Sequence, residues 1–409
     1  MKKTIAVTSL LTLVTAGSAL ASGYRIPEQS VNSTARAGSY TAHTPGADSA
    51  YYNPANMAWL PDTAHFEADL VYINLKAVSY TDARTPYYNG ESETENFLLP
   101  TLYAVSPDHY NFRFGLSLTY PGGLSKQWEQ PYPRTFAEEF SLKVVEFSPA
   151  VAYRFNEMFS IAAGVRAVYA DGTVKSAGMI APGVTASRDM DGDTWEAGYN
   201  LAFSARPVQG LNLGVTYRSK VDLDLEGSST LQTSAGPGLY SGDGSVSVPL
   251  PAVLSLGVAY TFFDQLTVEL QWDRTYWSDY ENIDFNYPVS LGNPVLTSLF
   301  DLPKAKNWED TDSWRIGVSY DLNQALTLMA GFAIDENPVP DSSLGFDLPD
   351  SDAKLYSLGV RYRLNEHLEL GMAYLYDDKE DRTVNNSIVS GRFEDSGAHL
   401  ITFGLNYKL

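Results

Sequence analysis

The segment Phe112-Arg113-Phe114-Gly115-Leu116-Ser117-Leu118-Thr119-Tyr120 alternates residue by residue, with large apolar side chains at even positions and Arg, Gly, Ser or Thr between them. Neighbouring side chains of an extended strand point to opposite faces, so this is a strand with one apolar face and one polar or small face. Leu211, Leu213, Val215 and Tyr217 repeat the pattern, as do Leu266 to Trp272, Trp314 to Tyr320 and Ile401 to Tyr407. Working outward from these, fourteen strands are predicted, near 64–80, 97–105, 110–120, 138–155, 158–176, 193–206, 210–225, 245–261, 265–277, 312–321, 325–336, 353–364, 367–378 and 392–408.

The connections alternate in length. Those near 106–109, 156–157, 207–209, 262–264, 321–324 and 364–366 are short, and those near 81–96, 121–137, 177–192, 226–244, 278–311, 337–352 and 379–391 are long. An even strand number, tight turns at one end and long loops at the other describe an outer-membrane barrel. The expected fold is all-β, a 14-stranded antiparallel transmembrane β-barrel. Tyr120, Tyr217, Trp272, Tyr276, Tyr376 and Tyr407 lie near strand ends, the depth that amphipathic rings prefer. A water-soluble all-β fold would need a partner sheet for every apolar face. The other face repeatedly carries glycine, at 115, 164, 198, 214, 257, 317, 331, 359, 371 and 404. Glycine weakens a strand, so this placement predicts close approach of something inside the wall, or sharp curvature.

Residues 1–21 read as a secretory signal: Lys2 and Lys3, the mostly apolar run Thr4 to Ala16, then the small-x-small site Ala19-Leu20-Ala21. That run is too short for a membrane anchor. The chain has 28 Lys+Arg against 49 Asp+Glu, a net charge of −21, which makes nucleic acid an implausible partner. The acids cluster between strands, as in Glu91-Ser92-Glu93-Thr94-Glu95 and Glu309-Asp310-Thr311-Asp312. Solvated outer loops explain them most simply; gathering divalent cations at a lipopolysaccharide surface is the alternative. With no cysteine, disulfides and thiolate chemistry are excluded.

Residues 22–62 precede the first strand and are rich in Ser, Thr, Ala and Gly, with low strand propensity. They are expected to plug the lumen of the barrel formed by residues 63–409. Ser22-Gly23-Tyr24-Arg25-Ile26, Arg36-Ala37-Gly38 and Asn53-Pro54-Ala55 together resemble the N-terminal hatch of FadL-type long-chain fatty-acid and hydrocarbon channels. The stretch from Gly331 to Asp341 (GFAIDENPVPD) and Leu348-Pro349-Asp350-Ser351-Asp352 resemble the family's C-terminal region. Ala353 and Lys354, the short connection near 177–192 and the terminal Leu409 depart from the family pattern. The resemblance implies passive uptake of a hydrophobic small molecule through a hatch-gated pocket. The same resemblance implies a lateral exit into the bilayer at a kink in the third strand.

Asn53, Pro54 and Ala55 are the candidate gate, since proline fixes a turn and Asn53 can bond nearby backbone groups. Pro100 and Pro149, on the two neighbours of the third strand, interrupt hydrogen bonding; with Gly115 they are the candidate flank of the opening. A fatty-acid carboxylate calls for arginine. Arg166 and Arg315 are the candidates, each on the inward register beside small residues, and Tyr24 and Ile26 are expected to line the pocket. Structural ion pairing is the plainer role for each arginine. Catalysis finds no support. His43, His65, His109, His367 and His399 are scattered, no nucleophile or nucleotide motif occurs, and Asp189-x-Asp191-x-Asp193 lacks the glycine and glutamate of a calcium loop. No metal or cofactor is expected, and a monomer in the outer membrane, in contact with its lipid and lipopolysaccharide, is expected. Aromatic or alkane hydrocarbons are the alternative substrates. An outer-membrane lipid hydrolase would need a Ser–His pair that no spacing supports, and a hydrophilic porin would not carry the plug.

Overall fold

In the computed structural model, which describes residues 23–409, fourteen antiparallel strands close into a barrel. The signal at 1–21 lies outside the described residues. The strands are β1 (His65–Leu75), β2 (Glu95–Val105), β3 (Phe112–Gln127), β4 (Glu139–Arg154), β5 (Phe159–Ala181), β6 (Val184–Ala205), β7 (Leu211–Arg218, continued as Val221–Thr233) and β8 (Gly238–Leu250, continued as Ala252–Phe262). They go on as β9 (Leu266–Tyr276), β10 (Thr311–Asp321), β11 (Leu326–Asp335), β12 (Ala353–Arg363), β13 (Leu368–Lys379) and β14 (Gly397–Lys408). β14 returns to β1 in unbroken register from His65↔Lys408 to Leu75↔Ala398, which closes the wall.

The apolar face of each strand points outward. Phe114, Leu201, Leu270, Trp314, Leu358 and Phe403 are among the large hydrophobic side chains left exposed by the chain, as a lipid-facing surface requires. Of the stretches expected as loops, 177–192 and 226–244 are largely strand, and 121–137 continues β3 to Gln127 before the short helix Pro131–Ala137. The reason is a change of face. Along β7 the odd residues Leu213 and Val215 look outward while Asn212 and Thr216 are buried; after Ser219-Lys220 the odd residues Val221, Leu223 and Leu225 are buried and Asp222, Asp224 and Glu226 are exposed. β8 switches in the same way around Pro249 and Pro251. Beyond the lipid the outer surface meets water, so the alternation that marks a membrane strand is inverted and resembles a polar loop.

Residues 23–63 fill the lumen as a hatch. A short helix, Val31–Ala35, is capped by Ser30, whose hydroxyl accepts from the Ser33 N–H. The Asp48 carboxylate accepts from Ser30 Oγ (2.7 Å), Tyr40 Oη (2.9 Å) and Asn32 Nδ2 (3.3 Å), tying three parts of the hatch together. The wall approaches closely where glycine permits it. A Cβ on Gly257 would lie 2.9 Å from the Ala42 nitrogen, and one on Gly331 would collide with the Arg36 backbone. Gly164 and Gly198 differ, since their neighbours belong to the wall itself.

The strongest tie is Glu269 of β9. Its buried carboxylate accepts from Arg36 Nη2 (2.6 Å) and from the backbone N–H groups of Thr41 (2.6 Å), Ala42 (2.7 Å) and His43 (3.1 Å). Glu269→Ala strands a buried guanidinium and three N–H groups, a loss of about 3–5 kcal/mol. The variant is expected to melt earlier by circular dichroism and to conduct more ions in planar bilayers. Lys354→Ala, which removes an exposed pair with Glu380, is expected to change neither.

Candidate functional site

One seam of the wall is incomplete. β2 and β3 pair only from Leu102↔Leu118 to Val105↔Gly115, although each runs farther. Glu95–Thr101 of β2 pair with β1 alone. On β3 the register against β4 shifts by one residue between Thr119 and Gly122, so Tyr120-Pro121 forms a bulge. Pro121 has no N–H to give a neighbouring strand, and bulges bend the strand that carries them.

The hatch occupies the freed edge of β3. Ile26 N–H donates to the Pro121 carbonyl (3.1 Å) and Gly123 N–H to the Tyr24 carbonyl (2.9 Å). Gln29 completes the match: its Nε2 donates to the Tyr120 carbonyl (2.8 Å) and its Oε1 accepts from the Tyr120 N–H (2.8 Å). One side-chain amide thus replaces a strand neighbour. On the other side of the gap, Thr101 Oγ1 and Tyr103 Oη both donate to the Gln29 carbonyl (2.8 and 2.7 Å).

Above this clasp lies a cavity of about 430 Å³, lined by Ile26, Leu99, Tyr120, Leu142, Leu355 and Leu375 among others. Its lining also includes Leu98 and Lys143, whose side chains are on the outer surface of the wall. The cavity therefore runs from the lumen through the β2–β3 gap towards the lipid face. One pole is polar, with Arg25, Glu28, Asp335, Asp377 and Lys379. Glu28 faces Arg315 Nη1 at 3.4 Å; burial outweighs that cation and pushes its carboxyl up to about 7.

Ile26 lines the cavity, and Tyr24 lines a smaller one of about 60 Å³ nearby, packed edge-on against Trp277 with ring centroids 4.6 Å apart. Arg315 lies beneath, bonded to Asp273 (3.0 Å), Asp335 (3.0 Å) and Glu28. Arg166 donates to Glu146 (2.8 Å), which also pairs with Arg218. Asn53 caps the short helix Pro54–Trp59 through the Ala55 N–H (3.1 Å), while its Nδ2 bonds the Thr41 carbonyl (2.8 Å) and the Phe203 carbonyl of the wall (3.4 Å). Ser160 of β5 donates to the Ala55 carbonyl (2.7 Å). Pro100 lies in the part of β2 that has no β3 partner, Pro149 lies opposite Leu116, and Gly115 sits in the paired stretch against Met57. The proline at the bulge is Pro121, in a stretch whose pattern predicts a loop, and Gln29 is not among the residues the sequence singles out. Apart from its place between the hatch motifs, nothing in the sequence sets Gln29 apart.

Residues 12–408 match the family model described as outer membrane protein transport protein (OMPP1/FadL/TodX). The chain belongs to this family. It is 26% identical to outer membrane protein P1 of Haemophilus influenzae, over 97% of each chain, and 24% identical to a long-chain fatty acid transport protein of Escherichia coli, over 95% of this chain and 94% of the other. Among solved structures it superposes on a Pseudomonas aeruginosa FadL homologue with a TM-score of 0.83 at 21% identity, covering 94% and 99% of the two chains. It superposes on the Pseudomonas putida toluene transporter TodX with a TM-score of 0.72 at 19% identity, covering 93% and 98%. The protein is an outer-membrane barrel of a transport family.

Two outcomes are expected here. Gln29→Ala removes both bonds to Tyr120 and is expected to cost about 1–3 kcal/mol of stability, read from thermal melts, with faster hydrogen exchange at Tyr120 and Gly123. Glu28 holds its proton more tightly in the folded barrel than at its ordinary value of 4.5. Ionising it therefore costs stability as pH rises from about 4.5 through 7. Glu28→Gln is expected to match the native chain in melting temperature below that window and to exceed it above.

Proposed function

We propose that the protein is a passive channel for hydrophobic compounds, with long-chain fatty acids as its leading substrates. The observation that carries this reading is the apolar cavity that passes through the β2–β3 gap. A ligand enters beneath the outer loops, where an apolar cluster includes Tyr80, Trp128, Leu223, Trp277, Phe346 and Phe393. It moves into the cavity over the hatch and leaves sideways into the bilayer, where burial of its chain is favourable. Asn53, Pro54 and Ala55 keep the body of the hatch seated, Tyr24 and Ile26 line the path, and Tyr24–Gln29 is the part that shifts. Arg315 and Arg166 serve by holding the hatch floor and wall beside that path. Pro100, Gly115 and Pro149 bound the opening on its two sides. One closed chain is the working unit.

A second reading, uptake of uncharged aromatic or alkane hydrocarbons, draws on Glu28, Asp335 and Asp377 at the polar pole, which disfavour a carboxylate there. The toluene transporters among the solved relatives fit it.

The chain has no cysteine, so a pair can be placed across the gap, Leu99→Cys with Leu124→Cys, and bridged by a bismaleimide. In cells lacking their own fatty-acid channel, labelled oleate uptake is expected with the unbridged pair and lost after bridging. Undiminished uptake through the bridged barrel would refute the lateral route. Toluene uptake without oleate uptake would favour the second reading.

A further inference from the structure

The β2–β3 gap is closed at both ends. At the inner end the last backbone pair is Leu102↔Leu118. At the outer end the two stretches of chain meet again: Glu93 N–H donates to the Gln127 carbonyl (2.9 Å), and Ser92 bridges Trp128. Ser92 precedes Leu102 by as many residues as Trp128 follows Leu118, so one register holds at both ends. The bulge at Tyr120-Pro121 shifts β3 against β4 and leaves it in step with β2. The two strands therefore bow apart over residues 96–101 and 119–124 and rejoin. At about 3.3 Å per residue, the window between them is about 20 Å tall.

That shared register sets Glu95 opposite Ser125, at the outer corner of the window. Backbone pairing has lapsed there, and side chains replace it. Glu95 Oε1 accepts from Ser125 Oγ and from Gln127 Nε2 (3.4 Å). Lys126 Nζ crosses in the same place to Ser92 Oγ (3.4 Å), which also accepts from the Val78 N–H (2.9 Å). A glutamate carries its oxygens several bonds from the backbone, so it spans strands that have begun to separate. The cavity through the wall reaches Ser125 at this corner. Glu95 is buried, yet its Oε2 has no hydrogen-bond partner among the described residues. A buried acceptor without a partner is costly, so this position is held for its reach across the gap rather than for full satisfaction of its oxygens.

We propose that Glu95 is a specificity-determining latch of the lateral window. A slit pinned at both ends widens only by bowing its strands; released at one end, it splays. With the latch shut, a slender acyl chain passes and a ligand carrying a bulky ring system does not. The assignment rests on the reading of the barrel as a channel with a lateral exit.

The test compares uptake of labelled oleate with that of 1-pyrenedodecanoate, a fatty acid ending in four fused rings, in cells lacking their own fatty-acid channel. The native chain is expected to favour oleate. Glu95→Ala is expected to raise pyrenedodecanoate uptake relative to oleate about threefold or more, while Glu95→Gln, which keeps the acceptor for Ser125, stays near the native ratio. The paired variant Glu95→Cys with Ser125→Cys makes the latch switchable, since the chain has no other cysteine. Oxidised to the disulfide, it is expected to take up oleate and exclude the pyrenyl acid as the native chain does; reduced, it is expected to behave as Glu95→Ala. Heat-modifiable gel migration checks that each variant folds. An uptake ratio equal in Glu95→Ala and the native chain would overturn the assignment. So would a ratio unmoved by reducing the disulfide, a comparison within one folded protein that stands even if Glu95→Ala does not assemble. Oleate uptake with an unmoved ratio overturns the latch and leaves the channel reading intact; uptake of neither acid by the native chain overturns both.

Discussion

Everything inside this barrel depends on satisfying a polar wall without water. The lipid-facing surface is apolar, so strand alternation forces the polar residues inward, and here the hatch rather than open solvent meets them. Glu269 shows how. Its carboxylate gathers Arg36 and three consecutive backbone N–H groups at Thr41, Ala42 and His43, an arrangement no single strand neighbour could offer. Arg361 with Glu67 and Asn32, and Arg315 with its three carboxylates, repeat the principle around the wall. Small residues in the hatch and glycines in the wall bring the backbones near enough for these bonds.

The incomplete seam follows from the same accounting. A barrel strand that loses its neighbour exposes backbone groups that lipid cannot satisfy. At the β2–β3 gap the hatch supplies them, through Tyr24, Ile26 and the amide of Gln29. Opening and plugging are therefore coupled: the segment that makes the gap tolerable is also the segment a passing ligand must displace.

The architecture was plain in the sequence because membrane strands obey a strict rule. Alternation, even strand number and alternating connection lengths all follow from one apolar exterior. The rule fails above the membrane, where Asp222, Asp224 and Glu226 face water and Leu223 and Leu225 face the chamber, so the upper halves of β3 and of β5 to β8 resembled loops. The site was less legible. The inward register picked out Arg166 and Arg315, but their ion pairs with Glu146, Glu28, Asp273 and Asp335 join residues up to hundreds of positions apart. A lone glutamine such as Gln29 leaves no periodic trace, and its importance arises only from the bulge it faces.

The enclosed hatch also dictates an order of assembly. Thr34 of the hatch bonds Thr402 of the last strand (2.8 Å), and that strand pairs along its length with the first. Residues 23–63 are bonded to β2, β5, β9 and β14, so their contacts are complete only when the wall has formed around them. The segment synthesised first must wait, loosely held, until the wall curls around it, and final closure joins parts of the chain more than 300 residues apart. The slow step of this fold is then expected to be sealing the β1–β14 seam over a correctly seated plug, rather than forming any one hairpin.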